Sequence, residues 1–317
     1  MNIENLLRET LSDMADEERP PAPGRFLQAP GRRLRGRAPA LVAASAVAAI
    51  TVGSAVMLHG ISSRAPDDAA GHRDAVPHLT FERRPVVSVT VAEGTRLARL
   101  CETLSSLTGR PVAEFERAAK DGAALGLPPY ARGRLEGFAF PGVYEFEPTA
   151  SPGEILGAMV ARFGAAAENT GLVEGAERAG GTPLEIVTIA SIVQAEAGRK
   201  EDMPKIARVI HNRLNRKMRL QLDSTIWYGL GKYGVGARVE DLKNPSPYNT
   251  YRRPGLPPGP IGNPGEDAIR AALKPAAGSW LYYVYTDPAK GIAKFASSAT
   301  EYAELVEERR RKKRGAG

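Results

Sequence analysis

One apolar segment in the middle of the chain constrains the fold more than any other. It reads TPLEIVTIASIVQAE and extends from Thr182 to Glu196. Thr182, Pro183 and Glu185 form the pattern of an N-cap, a proline in the first turn and an acid at the third helical position, which predicts that a helix begins here. The residues that follow leave this helix without a polar face, so we expect it to be buried inside a domain.

Glu196 ends this helix and is the candidate catalytic residue. At helical spacing it shares a face with Ile189 and Ile192. Apolar surroundings disfavour a charged carboxylate, and they therefore favour the protonated form that a general acid needs. The alternative is a helix-end carboxylate that pairs with Arg199 or Lys200, and the spacing alone leaves both interpretations open.

The net charge of +7 is concentrated at the two ends of the chain. Five arginines lie within residues 25–37, and six consecutive basic residues occupy 309–314. The remainder of the sequence has more acids than bases, which argues against a nucleic acid as partner. The single cysteine, Cys101, excludes an internal disulfide, and the four histidines lack the spacing of metal ligands. We therefore predict neither a metal site nor a cofactor.

A run of 21 uncharged residues, 38–58, has the length of one membrane span. A signal peptide would not follow a polar leader as long as residues 1–37, so we predict a single transmembrane helix. The preceding arginines place the N-terminal arm in the cytoplasm and the rest of the chain outside the cell membrane. The arm is predicted to be disordered, and residues 59–84 are predicted to be a linker. Substrates would then be limited to material of the cell envelope.

Residues 85–165 are predicted to form a small α+β module. A β-branched strand at 86–91 precedes a helix at 97–107, for which Thr95 is the predicted N-cap, and a second helix at 112–120. A strand, a turn and two helices in this order resemble a small LysM-like module. A generic α+β domain explains the same pattern equally well.

The end of this module is predicted to lead into a second lobe. Residues 135–146, LEGFAFPGVYEF, combine aromatic residues with glycine and proline, which favours a hairpin or extended structure. A second N-cap pattern at 151–154 predicts a helix that ends near Phe163. The segment 164–181, rich in glycine, alanine and glutamate, is predicted to join the two lobes.

Residues 166–308 are predicted to form a mixed α/β catalytic domain. The further elements expected there are an amphipathic helix at 206–214, a helix at 266–273, a strand at 280–285, a helix at 299–310 and, beyond the domain, a solvated basic tail at 309–317.

Two loops of this domain, 244–251 and 255–265, are stiffened by proline and carry tyrosine and asparagine. Rigid loops that present aromatic rings and amides are the expected lining of a carbohydrate groove. The candidates for substrate contact in these loops and in the preceding turn are Gln221, Asp223, Ser224, Thr225, Tyr248, Asn249, Tyr251 and Asn263. Asp223 is either the structural cap of its turn or a second carboxylate near Glu196.

Several long motifs together carry a family resemblance. They are ASIVQAEAG, NRL, LQLDSTIWYG, YNTYRRPGLPPGPIGNPG and LEGFAFPGVYEF, in a region that covers residues 86–305. In this combination the chain resembles the MltG (YceG-like) family of endolytic peptidoglycan transglycosylases. The family's catalytic glutamate falls on Glu196, and Gln194 stands where many members have another glutamate. Two departures are Gly142-Val143, where members often have Asp-Thr, and Gly262, where a slightly larger residue is common.

The resemblance implies an enzyme anchored in the cell membrane by one helix, with an extracytoplasmic catalytic domain and a glycan groove. It would cleave the β-1,4 bond between N-acetylmuramic acid and N-acetylglucosamine in nascent strands without adding water. The product would carry a 1,6-anhydro end, and cleavage would limit strand elongation. Peptidoglycan strands are the implied substrate, and peptidoglycan synthases are candidate partners.

Two other functions stay open at this point. A hydrolytic muramidase would use Asp223 as a second carboxylate beside Glu196. A non-catalytic scaffold of the wall-synthesis machinery would bind the wall through the LysM-like module.

Overall fold

The computed structural model describes residues 86–233 and 240–315. The predicted arm 1–37, transmembrane helix 38–58 and linker 59–84 lie outside the described residues, and they stay predictions. Within the described part of the chain, no helix combines the length and the apolar composition needed to cross a bilayer.

The first described segment is a β-α-α-β unit. Its elements are strand β1 (Val87–Val91), helix α1 (Leu97–Thr108), helix α2 (Val112–Ala118) and strand β2 (Gly142–Phe146). The two strands are antiparallel, with Val87 opposite Phe146 and Val91 opposite Gly142. The predicted strand and both predicted helices are therefore confirmed. The extended structure expected for 135–146 is present in its last five residues.

Helix α1 receives its cap from a residue that is distant in the sequence. The N-cap position is Arg96 rather than the predicted Thr95, and no side chain at that position caps the helix. Instead, the carboxylate of Glu136 accepts a hydrogen bond from the Leu97 N–H at 3.0 Å. The Thr95 prediction is wrong because the orphan N–H of the first turn is satisfied across the fold, which local sequence cannot reveal.

The next helices, in chain order, are α3 (Pro152–Thr170), α4 (Leu172–Arg178), α5 (Pro183–Glu196), α6 (Met203–Asn215), α7 (Asp223–Gly229) and α8 (Glu266–Leu273). Both predicted capping boxes are present. The Ser151 hydroxyl accepts from the Glu154 N–H, and the Glu154 carboxylate accepts from the Ser151 N–H. Thr182 and Glu185 make the same reciprocal pair at the start of α5. Each pair satisfies two backbone donors that the helix itself leaves free.

The helix predicted to end near Phe163 extends further, and most of the segment 164–181 is helical. Helix α3 continues to Thr170, well beyond the predicted end at Phe163, and α4 follows at once. Gly171 separates the two helices in the left-handed conformation, with φ of 62°. Its alanines and glutamates favour helix, and the single left-handed glycine provides the stop.

Helix α5 lies in the centre of the hydrophobic core, as predicted. Leu184 and every residue from Ile186 to Val193 are buried, and the helix packs against α8, α6 and α4. One continuous core extends from Val89 in β1 to Ala272 in α8. The end of α5 is consequently held rigidly, and Glu196 is placed where this buried helix emerges.

The C-terminal region is a β-hairpin that packs against a helix. Its elements are strand β3 (Tyr282–Asp287), strand β4 (Ile292–Ala296) and helix α9 (Ala299–Gly315). The two strands pair antiparallel, and Tyr282 stacks on Tyr302 of α9 with ring centroids 5.2 Å apart. The described residues therefore form an α+β fold, as expected.

Two boundaries in this region differ from the predictions. The strand expected at 280–285 begins and ends two residues later. The tail expected from residue 309 is helical as far as Gly315. Ion pairs within the last turns stabilise the helix there, between Arg310 and Glu307 at 2.6 Å and between Lys312 and Glu308 at 2.9 Å.

Candidate active site

Glu196 is held by two tyrosines of strand β3. The Tyr283 hydroxyl donates a hydrogen bond to Glu196 Oε2 at 2.6 Å. The Tyr285 hydroxyl donates to the backbone carbonyl of Glu196 and accepts from the Gly198 N–H at 2.9 Å. Alternate residues of a strand point to the same face, so one strand reaches both the carboxylate and the backbone of the helix end.

A glycine makes this close approach feasible. A Cβ atom on Gly198 would lie 2.8 Å from the Gly291 carbonyl oxygen and 2.8 Å from the Tyr285 ring. Any larger residue would push the hairpin away from the end of α5, and the bond between Tyr283 and Glu196 would be lost with it.

The ion pairs that would make Glu196 an ordinary helix-end carboxylate are not formed. Arg199 binds Asp202, with 2.9 Å between Nη2 and Oδ2, and Lys200 binds Asp267 at 2.7 Å. Both candidate cations thus have other partners. The Glu196 side chain is partly buried and receives a neutral hydroxyl donor, which leaves it available for proton transfer.

Asp223 is a second carboxyl group near Glu196. It is the first residue of α7, and Tyr251 donates a hydrogen bond to its Oδ1 at 2.7 Å. Burial raises the pKa of Asp223 to about 6, the Tyr251 hydrogen bond lowers it, and the negative charge of Glu196 contributes to the rise. The prediction that Asp223 caps its turn is wrong, because no side chain caps α7 and this carboxyl group bonds to Tyr251 instead.

Arg213 connects the structures that carry the two carboxyl groups. Its Nε donates to the Leu281 carbonyl at 2.6 Å, just before β3, and its Nη1 donates to the Leu220 carbonyl at 2.7 Å, just before α7. Nη1 also reaches the Gln221 side-chain oxygen at 3.4 Å. The guanidinium is 8% exposed, so it acts from inside the fold and sets the spacing between the strand and the turn.

Four of the predicted substrate contacts are buried. Ser224 is 3% exposed, and Thr225, Asn249 and Asn263 are fully buried. A side chain without exposed surface does not contact a polymer, so the prediction of direct glycan contact is corrected for these four residues.

The two buried asparagines, Asn249 and Asn263, hold the loops in shape through hydrogen bonds to backbone groups. Asn263 Oδ1 accepts from two backbone N–H groups, at Gly137 and Ala139, and its Nδ2 donates to the Thr95 carbonyl at 2.8 Å. Asn249 Nδ2 donates to two backbone carbonyls of its own loop. Buried amides that meet backbone groups in this way fix loop shape.

The other predicted contacts are partly exposed, and the structure divides them between two places. Gln221 and Tyr251 lie with Asp223, near Glu196. Tyr248 stacks on Tyr228 with ring centroids 4.7 Å apart, beside a separate cavity.

Sequence reasoning did not identify Tyr283, Tyr285 or Arg213 as parts of the site. The alternating tyrosines in YYVYTD, which share one strand face, were the available signal. Among the described residues, no cluster of three or more His, Cys, Asp or Glu side chains could hold a metal ion. The carboxyl groups of Glu196 and Asp223 supply groups that can transfer protons.

The comparison with protein families identifies the class of protein. A model described as the YceG-like family matches residues 68–308, and the chain belongs to this family. The fold supports the assignment. A 2.6 Å crystal structure of a YceG-like protein from Listeria monocytogenes superimposes with a TM-score of 0.63 at 27% identity, over 70% of this chain and 76% of that one.

Individual relatives carry a more specific name. The chain is similar to the "Endolytic murein transglycosylase" of Bacillus subtilis, with 38% identity over 151 residues, which cover 47% of this chain and 41% of that protein. It is also similar to the protein of the same name from Streptococcus pneumoniae, with 34% identity over 184 residues, which cover 56% of this chain and 33% of that protein. The matched regions thus span less than half the length of these relatives.

Proposed function

We propose that the chain is an endolytic murein transglycosylase. The enzyme would cleave the β-1,4 bond between N-acetylmuramic acid and N-acetylglucosamine without adding water. The observation that carries the proposal is the Glu196 carboxyl group, held by the Tyr283 hydroxyl and placed near Asp223. Membership of the YceG-like family and the names of the relatives support it.

One carboxyl group is sufficient for the proposed reaction. Glu196 first acts as an acid and protonates the glycosidic oxygen of the leaving sugar. It then acts as a base and removes the proton from the C6 hydroxyl of the muramoyl residue, whose oxygen attacks the anomeric carbon. The nucleophile belongs to the same sugar ring, so no second carboxylate has to activate water. Tyr283 orients the Glu196 carboxyl group for both steps.

The test is cleavage of uncrosslinked glycan strands by the full chain, with the products analysed by mass spectrometry. We expect 1,6-anhydro ends from the wild type and no cleavage by Glu196→Gln, which keeps the size of the side chain but cannot transfer the proton. Unchanged cleavage by Glu196→Gln would contradict the proposal. Unchanged growth phenotypes for that variant, together with absent cleavage by the wild type, would favour the non-catalytic scaffold.

A hydrolytic muramidase is the second candidate, and the position of Asp223 favours it. A second carboxyl group beside the acid could activate a water molecule, as in glycosidases that use two carboxylates. The two reactions differ by one water in the mass of the product. Hydrolysis would be established if the wild type produced reducing ends in place of anhydro ends and Asp223→Asn no longer produced them.

The proposal includes the cellular setting predicted from the sequence. The uncharged run 38–58 would anchor the protein in the cell membrane, with the N-terminus in the cytoplasm and the catalytic domain outside. The β-α-α-β unit would serve as the LysM-like module. Nascent peptidoglycan would be the substrate, cleavage would terminate strand elongation, and peptidoglycan synthases would be the partners.

A further inference from the structure

A cavity of about 310 Å³ lies apart from the pair of carboxyl groups, between the β-α-α-β unit and the loops of the second half. This volume is at the lower end of the range for small-ligand sites, and such sites often form where two parts of a fold meet. Its principal lining residues are Leu97, Lys120, Arg134, Glu136, Tyr228 and Tyr248.

Two tyrosine rings, those of Tyr228 and Tyr248, line part of the cavity. Tyr228 and Tyr248 pack with ring centroids 4.7 Å apart. The Tyr228 hydroxyl donates to Glu136 Oε2 at 3.1 Å, while the same carboxyl group accepts from the Leu97 N–H. Burial raises the pKa of Glu136 to about 7, and these two hydrogen bonds and Arg96 lower it. Glu136 is thus hydrogen-bonded within the protein, and the Arg96 guanidinium lies over the Tyr228 ring, 5.4 Å from its centroid.

Two exposed cations, Lys120 and Arg134, also line the cavity. Neither Lys120 nor Arg134 forms an ion pair with any residue in the described part of the chain. The only hydrogen bond of Arg134 to a described residue is a long one, 3.4 Å, to the Pro258 carbonyl. Two cations that form no ion pair with the described residues, lining the same cavity as two tyrosines, fit a ligand that has both a ring and a carboxylate.

Helix α7 links the cavity to the candidate active site. Helix α7 begins with Asp223, next to Glu196, and contains Tyr228 near its other end. At 1.5 Å per residue the two positions are about 8 Å apart along the helix axis. The candidate acid and the cavity thus lie near the two ends of one short helix.

We propose that this cavity binds a sugar of the strand together with the stem peptide attached to it. The two tyrosines stack on the sugar ring, and Lys120 and Arg134 bind carboxylates of the peptide. The inference rests on the proposed function for its substrate class. It adds a specificity: strands that still carry their peptides bind more tightly than strands from which the peptides have been removed.

The test is equilibrium binding to the full chain with the Glu196→Gln substitution, which prevents cleavage during the measurement. The probes are uncrosslinked glycan strands with stem peptides and the same strands after the peptides have been removed by an amidase. Reversing both cations, Lys120→Glu with Arg134→Glu, is expected to weaken binding of the peptide-bearing strands about five- to thirty-fold. Binding of the bare strands, which carry only the lactyl carboxylates that the amidase exposes, should weaken less.

A matched control changes the same amount of charge on the same two segments. Arg117→Glu with Arg132→Glu alters exposed residues that do not line the cavity, and it should preserve the preference for peptide-bearing strands. Tyr248→Ala should weaken the binding of both probes, because it removes the stacking surface. Circular dichroism of each variant checks the fold.

The results separate this inference from the proposed function. If the charge reversal does not reduce the preference, or if the control reduces it equally, the inference is overturned, whatever the cleavage assay shows. If the preference depends on Lys120 and Arg134 while the wild type yields no anhydro ends, the cavity assignment stands and the transglycosylase proposal fails.

Discussion

The protonation of Asp223 gives the most demanding test of the site geometry. Burial raises its pKa from 3.8 to about 6, with a further contribution from the charge of Glu196. The folded chain therefore keeps a proton that the unfolded chain releases between about pH 4 and pH 6. The free energy of unfolding is therefore higher below this window, and it falls as the pH rises through the window. At 1.36 kcal/mol per pKa unit, a shift of roughly two units corresponds to about 3 kcal/mol of unfolding free energy.

The perturbation is Asp223→Asn, which retains an acceptor for the Tyr251 hydroxyl but cannot ionise. Between pH 4 and pH 7 we expect the wild type to lose about 3 kcal/mol of unfolding free energy relative to the variant. This loss is measured by urea unfolding of the full chain at successive pH values. Groups that titrate in both proteins contribute equally to both, so their contributions cancel in the difference.

Two further variants test the neighbours of Asp223. Tyr251→Phe should move the titration window to higher pH, because it removes the hydrogen bond that lowers the pKa. Glu196→Gln should move the window to lower pH, because it removes the negative charge that raises the pKa. Parallel stability curves for wild type and Asp223→Asn would refute the reasoning, and an unchanged window in Glu196→Gln would show that the two carboxyl groups do not interact.

Two other predictions concern single hydrogen-bonding side chains. Tyr283→Phe should lower kcat about ten- to a hundredfold with little change in KM, because a hydrogen bond to a charged group contributes about 1.5–3 kcal/mol; an equal rise in KM in steady-state kinetics would contradict a positioning role. Asn263→Ala should reduce the unfolding free energy by at least about 3 kcal/mol, because two buried N–H groups and a carbonyl lose their partner. Thermal unfolding measures this reduction, and a reduction below about 1 kcal/mol would contradict the role of Asn263 in stabilising the loop.

Features with local causes were predictable from the sequence. The two capping boxes at Ser151 and Thr182 form as predicted, because each depends on residues only three positions apart. The burial of α5 follows from the absence of a polar face, and α8 occupies the predicted residues 266–273. The place of Glu196 at the end of such a helix is also as predicted, and its role as the acid stays a prediction.

Features that depend on long-range pairing were not predictable. Tyr283 meets Glu196 across 87 residues, and Glu136 caps α1 across 39. The composition of the two loops predicted that their asparagines contact glycan, whereas the structure buries these side chains. Asn263 and Asn249 are buried because irregular backbone in the interior needs partners for its polar groups. Knowing which strand lies beside the end of α5 would have been necessary to find the tyrosines.

The same long separation has a consequence for the making of the protein. Glu196 emerges from the ribosome well before Tyr283 and Tyr285, which follow it by 87 and 89 residues and hold its carboxylate and backbone. A nascent or truncated chain that ends before β3 contains the acid but lacks the hydroxyl groups that orient it. The hydrogen bonds that hold Glu196 can thus form only after the core residues up to Ala272 have been synthesised.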